Sequence, residues 1–327
     1  MTISWNVKDY LAKCLDSLYA ANISLINDQG DVVTNPNRDF PTVEMIVVDS
    51  ASSDETVVML RAAYPWVRLC ESSENVGFVR GNNIGLAMAR GEAVMLLNPD
   101  TEVFPNTLTR LLQVLHSNDQ YGIVGPHTLN ADGTHQSTRR RFPDVRTGLF
   151  ESTWLEPLAP KPLMSRFRVT DKSDDEVYPV DWMQGSALLA RREVYEQIGG
   201  LDDRYIMFAE EMDWCKRARD AGWTNVYVGD AKIIHYGGQS TAQVRARTHV
   251  HFQHSKLRYF RKFHGIWAAL LLRIVLTLNY LFQIFLESAK WMIGHKRPLR
   301  AERVADYWIV VRSLLWAGER LVMPEEH

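Results

Sequence analysis

The sequence predicts an α/β fold with a doubly wound, mostly parallel sheet. Short apolar runs alternate with helical patterns in the first part of the chain, and two of these runs are Val43–Val48 and Ala93–Leu97. An acidic residue closely follows each run, Asp49 after the first and Asp100 after the second. Because the carboxyl ends of parallel strands meet at one edge of an open sheet, where ligands bind, we expect the two carboxylates to share one crevice.

The elements before Pro126 alternate between helix and strand. Apolar residues share one helical face over residues 9–20, and a polar insertion at residues 23–41 precedes the strand Val43–Val48. The elements predicted after this strand are a helix capped by Ser53 or Asp54 that ends at Ala63, a strand at 67–70, a helix at 77–90, a strand at 92–97, a helix from Pro105 to Ser117 and a strand at 123–125.

The pattern changes after Pro126. Residues 130–134 have the composition of a hairpin turn. The proline-rich segment 142–178 is predicted to be an irregular surface loop or lid. Strand character returns at residues 180–190, and helices are predicted at 192–198 and 210–221.

Length and composition predict one large domain with an appendage. A chain of 327 residues with 46% hydrophobic composition is longer than one core usually organises, and we place the catalytic domain at residues 1–243 and a helical region at 244–327. Cys14, Cys70 and Cys215 are far apart, which predicts core residues in a reducing compartment rather than a disulfide framework. The first residues lack the basic and apolar regions of a signal peptide, so a cytoplasmic catalytic portion is expected.

The net charge of −2 conceals a basic tail. Residues 245–303 hold 12 Lys or Arg against only two acids, so this segment carries +10 and the remainder of the chain carries −12. Because the basic residues flank apolar sequence, the pairing favours an anionic membrane surface over nucleic acid as the partner.

Segment 266–293 is apolar enough to suggest a transmembrane helix, but polar residues recur along one face of it. They are Arg273, Thr277, Tyr280, Gln283, Glu287 and Lys290. Such a stripe is typical of a monotopic helix that lies flat in the interface, and spanning would place Arg273 in hydrocarbon at a cost of roughly 2.5–3.5 kcal/mol. Residues 307–321 are predicted to form a second amphipathic helix. The alternatives are a helical pair packed on the body and a dimer interface.

Two groups of residues carry candidate chemistry beyond the strand ends. Glu210, Glu211 and Asp213 crowd the start of a predicted helix, where the macrodipole stabilises acids. Repulsion between neighbouring carboxylates would also raise at least one pKa, as a general base requires, so both interpretations stay open. His235 ends a short apolar run beside glycine residues, and it is either structural or a ligand.

Several motifs recur in a characteristic order: Ser4-Trp5-Asn6, Val47-Val48-Asp49-Ser50, Glu74-Asn75-Val76-Gly77-Phe78, Asn98-Pro99-Asp100, Gly185-Ser186-Ala187, Gly199-Gly200-Leu201-Asp202, Glu210-Glu211-Met212-Asp213 and His235-Tyr236-Gly237-Gly238. Together they resemble the inverting nucleotide-sugar enzymes of glycosyltransferase family 2, which have the GT-A fold. Within this family the chain is most similar to bacterial rhamnosyltransferase-like enzymes that build O-antigen and cell-wall polysaccharides on a polyprenyl diphosphate. The resemblance covers roughly residues 1–264.

The resemblance implies roles for individual residues. Those expected at the donor nucleotide are Ser4, Asn6, Asp49, Ser52, Asn75, Gly77 and Asn83. Asp100, the one acid that remains of the family's Asp-x-Asp signature, would bind Mg²⁺ or Mn²⁺ on the donor diphosphate together with His235. Glu211 would be the general base, with Glu210 and Asp213 beside it.

Another group is expected at the acceptor: Trp182, Gln184, Gly185, Arg139 and Arg140. The arginines would bind the acceptor's diphosphate. A core position for Trp182 and a solvated arginine run are the alternatives.

The resemblance therefore predicts an inverting, metal-dependent hexosyltransferase, with L-rhamnose as a candidate sugar. Its partners would be a nucleoside-diphosphate sugar and a polyprenyl-diphosphate-linked or growing polysaccharide acceptor at the cytoplasmic face of the inner membrane. No nucleic acid is expected, and a homodimer is left open.

Two alternative functions remain. A sugar nucleotidyltransferase would be expected to carry a glycine-rich basic phosphate loop, which residues 4–15 lack. A non-catalytic membrane-associated protein that binds nucleotide sugars is the other.

Overall fold

The computed structural model describes residues 1–34, 37, 39–237 and 245–317, and the chain forms two compact units. Unit 1 draws on residues 1–142, 168–204 and 210–240, and unit 2 on residues 143–167, 205–209 and 241–327. The domain boundary predicted between residues 243 and 244 and the end of the predicted helix 307–321 lie outside the described residues.

The α-helices of the described residues include two, at 145–150 and 161–168, that the sequence did not predict. The α-helices are α1 (Lys8–Tyr19), α2 (Thr56–Ala63), α3 (Phe78–Met88), α4 (Thr107–His116), α5 (Val145–Phe150), α6 (Lys161–Arg168), α7 (Arg192–Ile198), α8 (Glu210–Asp220), α9 (Arg245–Met292) and α10 (Arg297–Arg312).

The strands lie between these helices. They are β1 (Thr2–Ser4), β2 (Ser24–Ile26), β3 (Thr42–Glu44), β4 (Ile46–Ser50), β5 (Arg68–Ser72), β6 (Ala93–Leu97), β7 (Thr101–Val103), β8 (Tyr121–Leu129), β9 (Arg139–Arg140), β10 (Val177–Val180), β11 (Trp182–Met183), β12 (Ala187–Arg191) and β13 (Thr224–His235).

Unit 1 is built on a mixed sheet whose two halves meet at Met1. One half has the order β5-β4-β1, all parallel, and the other has the order β6-β12-β8-β13-β10. The Met1 amino group donates to Met95 O over 2.8 Å, and Leu97 N–H donates to Met1 O over 3.0 Å. These bonds align β1 with β6, so the carboxyl ends of β4, β1 and β6 lie at one edge of the sheet.

Helices with one apolar face cover the sheet of unit 1. Leu11, Leu15 and Leu18 of α1 are buried in one cluster, and Leu111 and Leu115 of α4 are buried in another. This is the helical spacing that the sequence predicted. The predicted core positions of two cysteines are confirmed, since Cys14 and Cys215 are buried and free, whereas Cys70 is only partly covered.

The predicted irregular loop at 142–178 is wrong. This segment contains α5, α6 and the first half of β10. Its prolines start structure as well as interrupt it, since Pro162 lies in the first turn of α6, where its missing N–H is no loss. The predicted single strand at 180–190 is likewise three short strands, and the predicted strand 43–48 is divided between β3 and β4.

In unit 2, α9 folds back on itself at Gly265. Gly265 has φ 86° and ψ 173°, a backbone conformation that side-chain-bearing residues rarely adopt. A straight helix would hold Gln253 and Tyr280 about 40 Å apart, at ~1.5 Å per residue. Instead, Gln253 Nε2 donates to the Tyr280 hydroxyl over 3.0 Å. The helix is therefore two antiparallel arms, residues 245–264 and 266–292.

The second arm, residues 266–292, exposes an apolar face. Trp267 is 80% exposed and Phe285 is 66% exposed. Other large apolar side chains of this arm are exposed at three- and four-residue steps: Ile266, Leu270, Leu271, Ile274, Leu278, Leu281 and Phe282. We call these nine residues the apolar stripe.

The polar stripe of the second arm lies largely on its covered side, whereas a monotopic helix would turn such a stripe toward water. Thr277, Tyr280 and Glu287 are buried. The Arg300 guanidinium of α10 donates to Glu287 Oε2 over 2.5 Å, and the ring of Tyr307 lies 5.4 Å from that of Tyr280. Because α10 and the first arm supply partners for these polar groups, this part of the stripe faces protein rather than water.

Length and composition allow one helix among the described residues to cross a membrane, Arg247–Met292. The bend at Gly265 divides this segment into arms that lie side by side. The first arm is rich in Arg, Lys and His, so the apolar sequence lies in the second arm, residues 266–292.

Candidate active site

The first part of the site lies where β1 and β4 end. Ser4 is paired with Asp49 across the parallel ladder. Asp49 Oδ2 accepts from Ser52 N–H over 2.9 Å, and Asn6 N–H donates to Ser52 Oγ over 3.0 Å. Asp49 Oδ1 and Ser4 Oγ are buried and have no hydrogen-bond partner in the described part of the chain. Four of the predicted donor residues therefore lie together, with two polar atoms still to be satisfied.

Asn75 and Gly77 extend this rim beside β4. Ser50 Oγ donates to Asn75 Oδ1 over 3.0 Å, and the same oxygen accepts from Gly77 N–H over 3.0 Å. Gly77 has φ 74°, so the turn into α3 requires a residue that tolerates the left-handed region. The predicted donor residues Asn75 and Gly77 thus lie beside Ser50, the residue that follows Asp49 in β4.

Asn83 has a different environment from the other predicted donor residues. Its Nδ2 donates to Leu201 O over 2.8 Å, and its Oδ1 accepts from Leu201 N–H over 2.8 Å. Both ends of the amide are therefore bonded to one backbone position, which fixes the loop that follows α7.

Asp100 and His235 form the second part of the site. His235 Nε2 lies 3.3 Å from Asp100 Oδ1 and 3.5 Å from Asn98 Nδ2. Thr101 of β7 is paired with His235 of β13, and this register brings together two groups that are far apart in sequence. Both side chains are largely covered, as metal ligands from a carboxylate and an imidazole usually are.

Gln136 orients His235, and no sequence motif pointed to it. Gln136 Oε1 lies 2.8 Å from His235 Nδ1, and Gln136 Nε2 donates to Asn130 Oδ1 over 2.9 Å. The second bond fixes the amide so that its oxygen faces the ring, and His235 Nδ1 must then carry the proton. In the neutral ring, Nε2 presents its lone pair toward Asp100, which is the arrangement a divalent cation needs.

The antiparallel strand β12 connects the acidic helix α8 to this site. Asn98 N–H donates to Ser186 O over 2.9 Å, directly before β12 begins. At the neighbouring Gly185, an added Cβ would lie 3.4 Å from the Cβ of Glu211. Glu211 therefore lies within van der Waals reach of the backbone just beyond Asn98.

The two glutamates that begin α8 have different electrostatic surroundings. Burial and repulsion from Glu211 raise the pKa of Glu210 well above its usual range. Burial also raises the pKa of Glu211, but backbone N–H groups, including that of Gly185, oppose the rise. Two adjacent buried carboxylates do not readily ionise together, and the larger rise at Glu210 favours the proton on Glu210 and the charge on Glu211. Glu211 Oε2 is buried and lacks a hydrogen-bond partner in the described chain.

Asp213, the third predicted catalytic acid, is fully buried against Arg217. Arg217 Nε donates to Asp213 Oδ2 over 2.6 Å, and the same guanidinium donates to Ile198 O and Gly200 O. This ion pair fixes α8 to the end of α7, so Asp213 helps to hold the helix that carries Glu211.

The predicted acceptor residues divide into two groups. Gln184 is exposed and Gly185 lies beside Glu211, as an acceptor site requires. Trp182 is buried and its indole N–H donates to Arg141 O over 3.0 Å, which fits the core alternative. Arg139 is also buried, with its guanidinium paired with Asp174.

Arg140 has hydrogen-bond partners of its own. Its Nη1 donates to Ser137 Oγ and to Arg139 O, each over 2.8 Å. A role for Arg139 and Arg140 at an acceptor diphosphate stays a prediction.

The sequence and the fold of this chain are similar to those of known proteins. The profile described as Glycosyl transferase family 2 matches residues 1–199, which is more than half of the chain. The chain belongs to glycosyltransferase family 2. The predicted family and the α/β fold of the GT-A type are therefore confirmed, and the chain is a glycosyltransferase.

Relatives within glycosyltransferase family 2 include named rhamnosyltransferases. The chain is 30% identical over 241 residues to the N-acetylglucosaminyl-diphospho-decaprenol L-rhamnosyltransferase of Mycobacterium tuberculosis, covering 69% of this chain and 78% of that protein. It is 23% identical over 242 residues to the rhamnosyltransferase WbbL of Escherichia coli, covering 72% of this chain and 81% of that protein.

A solved structure supports the fold. The enzyme GalNAc-T7 in complex with UDP, GalNAc and Mn²⁺ superposes with a TM-score of 0.55 at 15% identity, covering 96% of this chain and 55% of that one. At this identity the likeness shows the shared fold alone.

We predict that Asn83→Ala affects stability rather than nucleotide binding. Losing both bonds to Leu201 should lower the free energy of unfolding by about 1–3 kcal/mol, measured by urea denaturation. The affinity of the folded variant for a nucleoside diphosphate, measured by calorimetry, should equal that of the parent chain. Asp49→Ala is the matched comparison and should weaken this affinity. A comparable loss of affinity in Asn83→Ala would mean that Asn83 contributes to nucleotide binding.

Proposed function

We propose that the chain catalyses inverting transfer of a sugar, with L-rhamnose as the leading candidate, from a nucleoside-diphosphate donor to a polyprenyl-diphosphate-linked acceptor. The observation that carries this proposal is the position of Asn98. Its side chain lies 3.5 Å from His235, and its N–H bonds to Ser186 O next to the Glu211 contact. Asn98 therefore lies between the proposed diphosphate site and the backbone that contacts the proposed general base.

The rim formed by Ser4, Asp49 and Asn75 would bind the nucleotide. Asp49 Oδ1 has no protein partner and accepts hydrogen bonds, so it can take an N–H of a pyrimidine base. Ser4 Oγ beside it can donate or accept. The names of the rhamnosyltransferase relatives support rhamnose as the transferred sugar, and that of the Mycobacterium tuberculosis enzyme supports a lipid-linked acceptor.

Glu211 would act as the general base. Its free carboxylate oxygen accepts the proton of the acceptor hydroxyl as that oxygen attacks the anomeric carbon. Attack from the face opposite the nucleotide inverts the configuration at that carbon. Because the base must be ionised and its pKa is raised, activity should be lost as the pH falls through that raised pKa.

Asp100 and His235 would hold Mg²⁺ or Mn²⁺ at the donor diphosphate. The carboxylate oxygen and the unprotonated Nε2 lie 3.3 Å apart, and together they suit a divalent cation. Such a cation, when bound, neutralises charge that develops on the leaving diphosphate. Gln136 keeps the His235 ring in the tautomer that can bind it.

The proposal extends to the membrane through the apolar stripe of unit 2. The stripe would enter the interface, while cations near both ends of the second arm, Lys262 and Arg297 among them, would contact anionic head groups. An upright arm would carry the exposed Glu302 and Arg303 of the adjacent α10 into hydrocarbon, at roughly 2.5–3.5 kcal/mol each. A monotopic attachment at the cytoplasmic face therefore fits better than a span.

Replacing each glutamate of the pair by its neutral isostere should give opposite results. Glu211→Gln removes the base and should lower kcat by roughly 10²–10⁴-fold. Glu210→Gln should retain most activity, because the raised pKa of Glu210 favours the neutral form that glutamine mimics. Both variants are to be assayed for sugar transfer to a lipid-linked acceptor, with donor affinity measured in parallel.

The two variants also separate the general base from helix stability. Thermal melting of each variant checks that α8 is intact. If Glu210→Gln loses activity and Glu211→Gln retains it, the assignment of the base is reversed. Equal activity in both variants would mean that neither glutamate of α8 is the general base.

Replacing Gln136 should weaken metal binding without touching a metal ligand. Gln136→Leu removes the acceptor for His235 Nδ1, and we expect the affinity for Mn²⁺ to fall by roughly 10–100-fold. Gln136→Glu keeps an oxygen acceptor and should retain tight binding. The electron paramagnetic resonance signal of free Mn²⁺ measures both. An unchanged affinity in Gln136→Leu would mean that Gln136 does not orient His235.

A charge in the apolar stripe should release the protein from lipid. Leu278 is 55% exposed, and Leu278→Asp would place a carboxylate at the interface. The control is Val58→Asp on α2 of unit 1, where the side chain is 67% exposed. In sedimentation with anionic vesicles, Leu278→Asp should shift toward the supernatant, and Val58→Asp should not. Equal sedimentation of both variants would exclude the stripe as the attachment surface.

A further inference from the structure

A second cluster of metal-binding side chains lies in unit 1, apart from Asp100 and His235. His127 of β8, His135 after the hairpin turn and Asp174 before β10 each have a ligand atom within 4.8 Å of those of the other two. His135 and Gln136 are consecutive in extended chain and project to opposite sides. Gln136 faces His235, so the cluster lies on the other side of this segment.

The two histidines meet through one nitrogen each. His127 Nε2 lies 2.9 Å from His135 Nδ1, and the His127 side chain is only 6% exposed. Each outer nitrogen faces a carboxylate, with His127 Nδ1 at 3.8 Å from Asp175 Oδ1 and His135 Nε2 at 3.8 Å from Asp174 Oδ1. The arrangement is thus nearly symmetric about the close nitrogen pair.

The two rings together carry one N–H too few for the three contacts just described. Burial lowers the pKa of both histidines, which keeps each ring neutral with one N–H. One N–H must lie between the two close nitrogens, because two lone pairs at 2.9 Å would repel each other. Only one N–H then remains for the two outer nitrogens. In either tautomer, one lone pair points toward a carboxylate.

A divalent cation between the rings removes this conflict. With the cation on His127 Nε2 and His135 Nδ1, the inner proton moves to an outer nitrogen, and both outer nitrogens carry N–H toward Asp175 and Asp174. No proton is released, since two neutral rings hold two protons before and after. Carboxylates behind metal-bound histidines are the usual means of orienting such ligands.

We propose that His127 Nε2 and His135 Nδ1 bind Zn²⁺ at a site independent of the donor site, with Asp174 and Asp175 orienting the two rings. Imidazole nitrogen favours Zn²⁺, whereas Mg²⁺ prefers oxygen ligands. The nearby cations are Arg139, which pairs with Asp174, and Lys232, which pairs with Asp175 over 3.0 Å. These cations reduce the affinity, but they also hold the carboxylates in place.

Zinc would join β8 to the segment that follows its hairpin turn, and the Asp174 carboxylate would connect this pair to the loop before β10. Among the groups near the cluster, the Tyr227 hydroxyl donates to Asp174 O over 2.7 Å, and the Arg139 guanidinium lies 4.8 Å from the Tyr227 ring. The loop before β10 is therefore already fixed against β13, and the ion would strengthen its contact with His135. We expect zinc to raise the melting temperature.

The test is zinc binding by the full chain without an affinity tag. After removal of metal with a chelator, equilibrium dialysis and elemental analysis should find about one tightly bound Zn²⁺, and Asp100→Ala should retain it. His135→Gln should lose it, together with the rise in melting temperature. The control is His116→Gln, because His116 is a half-exposed histidine beside Glu92 and should retain the ion.

The variants distinguish the possible outcomes. His135 is partly exposed, so His135→Gln should fold even if a substitution at the buried His127 does not. X-ray absorption at the zinc edge should detect imidazole nitrogen in the parent chain. The proposal is overturned if the parent chain binds no zinc, if His135→Gln binds it equally well, or if Asp100→Ala abolishes binding.

Discussion

The antiparallel pairing of β12 with β6 is the constraint on which the candidate site depends. Were β12 parallel to β6, its first residues would lie at the opposite edge of the sheet. Instead Ala187 is paired with Leu97, and Ser186 accepts the hydrogen bond of Asn98. The loop before β12 therefore reaches the edge where β1, β4 and β6 end, and it carries Gly185 to Glu211. A sheet that is parallel in most of its other central pairs thus brings the residues proposed for the donor, the metal and the general base to one edge.

Buried polar atoms without partners mark the same edge. Burying such an atom costs roughly 1–3 kcal/mol in protein measurements, so folding alone does not favour it. Ser4 Oγ, Asp49 Oδ1 and Glu211 Oε2 all lack a hydrogen-bond partner among the described residues. Asp213, by contrast, is fully paired with Arg217. The Asp213 pair holds the framework, whereas these three unsatisfied atoms at the edge are groups for which a substrate can supply the missing bonds.

The sequence predicted the parts of the fold that local patterns determine. Residues 192–198 form the predicted helix, and the ends of β4 and β6 carry Asp49 and Asp100 as expected. Long-range geometry was not accessible in this way. Gln136 carries no motif, and its role depends on the register that brings His235 beside Asp100. Asn83 matched a family motif, but its bonds to Leu201 arise only when distant segments pack. Composition also concealed α5 and α6, whose short helices interrupt a proline-rich segment.

Unit 2 shows why periodicity alone left the orientation of the tail undetermined. A helix with polar and apolar stripes can turn either stripe toward the protein, and the sequence is the same in both cases. The deciding fact is what the neighbouring helices offer. The first arm of α9 supplies Gln253 to Tyr280, and α10 supplies Arg300 to Glu287, so the polar side is satisfied inside the unit. The apolar side is then left outward, where water is a poor solvent for it and lipid is a good one. The bend at Gly265 makes this possible, because only a chain that folds back can place the first arm against the second.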